Sequence, residues 1–172
     1  MSQYPVLFPL GNISSNTVTY NDNKFKISAS SYYPEYPEYG FFSNDPNTAW
    51  VSDNVPPPHW ICLESEHKFI TDNYIFTAQY DLKNMTVKDY YLEVSIDGID
   101  WTTVYTGVVP KTNYYNVNCT FNPILCKYIR LKILSNYDNR GYKWVQAHGC
   151  RVYGKISYKS YLFEDNLDNV YA

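Results

Sequence analysis

Aromatic side chains set beside charged and amide groups on turn-rich segments are the residues of this sequence best suited to chemistry, and that chemistry is recognition. Three segments carry them. Residues 32–40 read Tyr-Tyr-Pro-Glu-Tyr-Pro-Glu-Tyr-Gly, residues 53–59 read Asp-Asn-Val-Pro-Pro-Pro-His, and residues 136–144 read Asn-Tyr-Asp-Asn-Arg-Gly-Tyr-Lys-Trp. Proline removes a backbone donor and opposes helix and sheet, and all three segments are read as loops. A ring stacks on the apolar face of a sugar or on a partner's side chain. Arginine donates several hydrogen bonds of fixed geometry, and aspartate accepts them. Tyr33, Tyr36, Tyr39, Asp53, Arg140, Tyr142 and Trp144 are therefore the candidate ligand-binding residues, and the three loops are expected to converge at one end of the fold. The competing reading is that the tyrosines pack on one another only to stiffen Pro-rich loops.

Catalytic patterns are missing. There is no G-x-S-x-G elbow, no Gly-rich phosphate loop and no H-E-x-x-H pair. Glu35 and Glu38 stand three apart on a Pro-rich loop and read as a solvated acidic rim. His59, His67 and His148 are scattered, and none belongs to a metal-spaced motif. The expectation is a binding protein, not an enzyme. The cysteines, Cys62, Cys119, Cys126 and Cys150, form no C-x-x-C pair. Cys119 and Cys126 can meet across a turn, but free buried thiols are expected at all four positions.

The elements that position the loops follow from composition. The chain has 172 residues, 45% hydrophobic and 18% charged, which suits one domain with a core and opposes disorder. The net charge is -3 and no basic stripe occurs, so a nucleic-acid partner lacks its electrostatic footprint. Met1–Leu10 has neither the charge nor the apolar run of a signal peptide. No stretch approaches the ~20 apolar residues of a membrane span. Cytoplasmic synthesis is expected, and the glycosylation-type triplets at Asn12, Asn84 and Asn118 are read as chance.

Tyrosine is the outlier, with 20 residues, and aromatic residues favour strands. Runs rich in Val, Ile, Thr and Tyr alternate with Gly, Pro, Asn and Asp, the pattern of an all-β sandwich. Candidate strands are 24–29, 60–63, 74–80, 90–96, 102–105, 114–121, 128–134 and 150–156. Asp97-Gly98 marks a tight turn before Trp101. Residues 1–23 read as an N-terminal arm, 24–156 as the sandwich and 157–172 as a C-terminal extension. The apolar side chains of both extensions are expected to contact a partner protein.

Six blocks resemble a known family in its order. Phe25–Ser31 looks like the opening strand of the discoidin, or coagulation-factor type C, domain. Asp45-Pro46-Asn47-Thr48-Ala49-Trp50 resembles its D-P-x-T-x-W turn, and His59–Leu63 its next buried strand. Leu92–Gly98 with Trp101 is similar to its central hairpin. Tyr128–Leu131 and Arg151–Gly154 resemble its last strands. The resemblance implies a galactose-binding-like antiparallel jelly-roll sandwich of about eight strands, with ligand contacts from loops at one end. The family often carries calcium held by an acidic side chain, the Thr of the turn and a glutamate near the final strand. Here those positions are Ser43, Thr48 and Gly149, with Asp45 a partial substitute, so no cofactor is expected. The disulfide of secreted members has no obvious counterpart.

Trp50, Trp60 and Trp101 fall in framework blocks and are expected in the core. Trp144 is a candidate stacking platform, and Arg130, in an otherwise apolar strand, reads as a paired structural arginine. The function expected is lectin-like recognition of a glycan or cell-surface ligand. The alternative is a docking protein of a larger assembly, such as a virus particle, held by its terminal arms.

Overall fold

Short runs with two-residue periodicity become eight antiparallel strands: β1 (Thr17–Tyr20), β2 (Asn23–Ala29), β3 (Trp50–Val51), β4 (His59–Ala78), β5 (Asp89–Ser95), β6 (Thr102–Val108), β7 (Tyr115–Ile133) and β8 (Gln146–Ile156). The structure is a computed structural model that describes residues 2–8, 11, 13–78, 85–112 and 115–157. The expected extension at 157–172 lies outside these residues except for Ser157, as do Asn12 and Asn84. No described helix is long and apolar enough to cross a membrane.

Two long strands make the sandwich. Residues 59–64 of β4 pair with 128–133 of β7 in a sheet ordered β1-β2-β4-β7-β5-β6. Further along, 69–78 of β4 pair with 115–126 of β7 and also with β8, which carries β3. Register shifts between Glu64 and Phe69 and between Thr71 and Asn73 mark the corners. Pro123, which has no N–H to offer a ladder, falls in the second gap. The sequence presents these strands as two pairs of shorter runs, because the polar stretch Glu64–Lys68 and Pro123 look like breaks.

Alternation decides what each sheet buries. Ile61 and Leu63 of β4, Leu92 and Val94 of β5, and Ile129, Leu131 and Ile133 of β7 all face the core. Aromatic rings bridge the layers edge to face. Phe8 meets Phe25 at 5.0 Å and Phe42 at 4.8 Å, Phe41 meets Trp50 at 6.1 Å, and Phe76 meets Tyr90 at 5.5 Å. Six phenylalanines are buried, whereas among the described tyrosines only Tyr74 and Tyr90 are. Gly40 permits the closest approach: a Cβ there would stand 2.2 Å from the Thr48 carbonyl oxygen.

Two expectations are corrected. Where it is described, the expected arm at 1–23 packs as part of the sandwich. Leu7 and Phe8 belong to the core, Val6 bridges to Tyr153, and Leu7 N–H donates to Val152 at 2.8 Å. β1 pairs with β2 through a turn at Asn21 and Asp22, both with positive φ, the geometry of a tight hairpin. The second correction concerns Trp60 and Trp101. Trp50 is fully buried and its indole donates to the Ser31 carbonyl, but Trp60 and Trp101 are only partly buried. They lie on the outer face of the first sheet around Arg130, whose guanidinium stands 3.7 Å from the Trp101 ring and 6.0 Å from the Trp60 ring. Arg130 pairs with Glu93 at 3.4 Å, so it is the structural arginine expected.

All four cysteines are free and buried. Burial pushes the thiols up, to about 12 at Cys62, where nearby Arg130 only partly opposes it, and to about 12 at Cys119. The thiolate is the reactive form. Titration with a thiol reagent at neutral pH should therefore find almost none in the native protein and four in denaturant. A count of two or fewer in denaturant would show disulfides.

Candidate functional site

The three loops are drawn together by backbone hydrogen bonds to β3 and its surroundings. Tyr33 N–H donates to the Val51 carbonyl at 2.7 Å and Val51 N–H to that of Tyr36 at 3.3 Å, which clips the first loop onto β3. Ser52 N–H donates to the Val145 carbonyl at 3.0 Å, and Val145 N–H returns to Ser52 Oγ at 2.9 Å. Lys143 N–H donates to Asn54 Oδ1 at 2.8 Å, and His59 Nε2 reaches the Lys143 carbonyl at 2.7 Å. A carbonyl only accepts, so Nε2 carries the proton.

The third loop is organised by two side chains. Asp138 accepts the N–H groups of Arg140 and Tyr142 at 2.9 Å each, together with the Arg140 guanidinium at 2.9 Å. Burial raises this carboxyl, but those hydrogen bonds outweigh it and hold Asp138 below the usual carboxylate range. Asn136 Nδ2 donates to the carbonyls of Tyr142 at 3.1 Å and Trp144 at 2.7 Å.

The outcome is an aromatic cluster built from distant parts of the chain. Tyr33 meets Trp144 at 6.0 Å and Tyr36 at 6.4 Å between ring centroids, and Tyr142 meets Trp144 at 5.6 Å. Tyr33 and Tyr142 remain 40% and 42% exposed, so rings are open to a ligand as well as to one another. Trp144 is partly buried, with its indole N–H shut from solvent and without a partner.

Two candidates, Tyr39 and Arg140, sit differently from expectation. Tyr39 belongs to a 3-10 turn, Glu38–Phe42, and packs against the core. Arg140 faces Asp138 of its own loop and lies over the Tyr142 ring at 5.1 Å, so its fork is not displayed to solvent unpaired. Asp53 is exposed, with its N–H bonded to Ser31 Oγ at 3.0 Å. Sequence reasoning missed the residues that hold the loops, Ser31, Ser52, Asn54 and Asn136. It also missed His59, buried at 1% exposure, for which the only signal was a histidine opening an apolar run after three prolines. A cavity of about 190 Å³ opens beside the cluster, between Pro57, His59, Asn136, Tyr142 and Lys143.

The position where the family places calcium does not fit that ion. Thr48 Oγ1 is taken by Ser43 Oγ and by the Asp45 carbonyl at 3.0 Å. Asp45 Oδ1 caps Asn47 N–H at 2.9 Å, and Gly149 N–H donates to the Ser43 carbonyl at 2.8 Å. Calcium takes six to eight oxygens, usually with carboxylates. Among the described residues no group of three or more His, Cys, Asp or Glu is placed to hold a metal. His148 is buried beside Asp45, and burial holds its imidazole below the ordinary value although Asp45 opposes this. Chelator should shift the melting temperature by less than about 2 °C. An ion at 1,000 times its Kd would contribute about 4 kcal/mol, or roughly 8–16 °C in a chain this size.

The sandwich fold matches known proteins. Residues 26–148 match the model of the F5/8 type C domain, which is well over half of the chain. The chain belongs to the F5/8 type C, or discoidin, family. Among solved structures, it is similar to a Clostridium perfringens module in complex with GalNAc-β-1,3-galactose, at 20% identity and TM-score 0.64, over 75% of this chain and 94% of that one. The family 32 carbohydrate-binding module of C. perfringens NanJ, in complex with galactose, gives 18% identity and TM-score 0.63 over 75% and 93%. A module from a family 31 glycoside hydrolase of C. perfringens gives 21% and 0.63 over 81% and 96%.

Proposed function

We propose that this chain is a non-catalytic carbohydrate-binding module that takes its glycan at the loop end of the sandwich. The observation that carries the reading is the cluster of Tyr33, Tyr36, Tyr142 and Trp144, assembled from segments about a hundred residues apart with two rings left open. Stacked rings suit the apolar faces of sugar rings, and the polar groups around them suit hydroxyls. The sugars in complex with two similar modules support the same class of ligand. Docking through an N-terminal arm has less to draw on, since Leu7 and Phe8 are spent in this chain's own core.

A glycan array probed with the wild-type protein tests the proposal. Binding to a related set of glycans is the expected result. Uniform silence across the array, confirmed by calorimetry with galactose and N-acetylgalactosamine, would overturn it.

A further inference from the structure

An apolar groove opens at the end of the sandwich away from the loops. His59, Ile133 and Tyr90 stand side by side at the loop end, whereas the pairing of β5 with β7 finishes at Ser95 and Tyr128. Tyr90 and Ser95 are five residues apart, or about 17 Å along the strand. At Tyr128 the two strands part. On the N-terminal side of Tyr128, β7 runs in the other sheet, where Cys126 pairs with Phe69, while β5 turns back at Asp97-Gly98. In that stretch β4 is the one described strand that pairs with β7. The gap is a cavity of about 260 Å³. Val94, Ile96 and Thr102 line one side, Ile124 and Leu125 the other, and Asp97 and Asp100 also face it.

Aliphatic side chains stay open here. Ile96 is 50% exposed, Ile99 79% and Leu125 37%. The turn does not need the Ile99 side chain, because Asp97 Oδ1 closes it by accepting the N–H groups of Ile99 and Asp100 at 2.9 Å each. Apolar surface left open within a polar rim marks an interaction site. The Asp100 N–H, with that of Ile99, holds the Asp97 carboxyl below the usual carboxylate range, so it is charged at neutral pH. Among the described residues no cation pairs with Asp97 or Asp100. The lining is aliphatic and hydroxyl-bearing, without the rings that would stack on a sugar. A second copy in a twofold contact would set its own Asp97 and Asp100 against these, like charge against like, in a chain of net charge -3.

From this we infer that the groove is a docking site for a segment of a partner protein in which large aliphatic side chains stand beside Lys or Arg. The aliphatic side chains fill the gap between β5 and β7, and the cations meet Asp97 and Asp100. The inference is independent of the carbohydrate reading, and docking at this end leaves the aromatic cluster uncovered.

Phage-displayed random peptides, panned on the whole wild-type chain, test it. Selected peptides should carry Ile, Leu, Val or Met beside Lys or Arg. On adding such a peptide, amide resonances at 94–102 and 124–125 should shift, while those of Tyr142 and Trp144 stay. This map stands even if a variant fails to fold. Affinity should fall about tenfold or more in Leu125→Ser and in Asp100→Lys, and remain as wild type in Trp144→Ala. A peptide with Glu in place of its Lys or Arg should regain affinity for Asp100→Lys. Failure to select any peptide, selection of acidic or uncharged ones, or binding that survives both groove substitutions would overturn the inference. Two other occupants would overturn it as well. Self-association abolished by Ile99→Ser would put a second copy in the groove. Groove resonances that move with Phe163→Ser in the chain alone would put its own C-terminal segment there.

Discussion

Replacing Phe8 by alanine should lower the unfolding free energy by about 3–5 kcal/mol, the usual cost of emptying a buried phenylalanine site. Phe8 is 1% exposed and meets two other core rings edge to face, Phe25 at 5.0 Å and Phe42 at 4.8 Å. Those rings come from β2 and from the 3-10 turn before β3, so the void would open where the N-terminal segment locks onto both. At roughly 2–4 °C per kcal/mol for a chain this size, the melting temperature should fall by about 6–20 °C. Scanning calorimetry on the isolated chain decides the matter. A shift within about 2 °C would mean that the segment is dispensable to the core and free to serve a partner.

Replacing Trp144 by alanine should weaken glycan binding by about 30-fold or more, the effect of losing roughly 2 kcal/mol at an aromatic anchor. Trp144 is the hub of the cluster, touching both Tyr33 and Tyr142. The carbonyl that anchors its loop to Asn136 belongs to the backbone and survives the substitution. The indole N–H is unpartnered, so removing it breaks no hydrogen bond. The melting temperature should therefore change by no more than about 4 °C. Tyr33→Ala, at the exposed rim, should weaken binding less. Unchanged affinity in both variants, measured by calorimetry against the glycan that an array selects, would place the site elsewhere.

The fold was legible because two-residue alternation declares which face of a strand is apolar. The run at 90–96 becomes β5, Asp89–Ser95, and Asp97-Gly98 forms its turn, with Gly98 at φ +77 and Asp97 Oδ1 accepting the N–H groups of Ile99 and Asp100. Alternation does not say what covers the other face. Trp60 and Trp101 look like core in one dimension, yet they pack on the outside around Arg130, an arrangement that exists only once β4, β5 and β7 are side by side. The turn at Asn21-Asp22 carried a hairpin signal that the Pro-rich start of the chain obscured. At the candidate site, loop composition pointed to the aromatic rings. The partners of Arg140 and Tyr39 were not legible, because they depend on close packing: Asp138 two residues away captures the guanidinium, and the 3-10 turn at Glu38–Phe42 rolls Tyr39 inward.

The two strands that pass through both sheets also set a timetable for synthesis. β4 ends at Ala78, and the last residue of its partner β7 is Ile133, 55 residues later. At about 5–20 residues per second, roughly 3–11 s pass before that ladder can be completed. Until β7 emerges, Ile61 and Leu63 have β2 beside them, whereas Phe69, Tyr74 and Phe76 lack both of their strand neighbours, β7 and β8. The nascent chain therefore carries the second half of β4 unpaired until β7 follows, and a slowed ribosome lengthens the exposure instead of helping the fold.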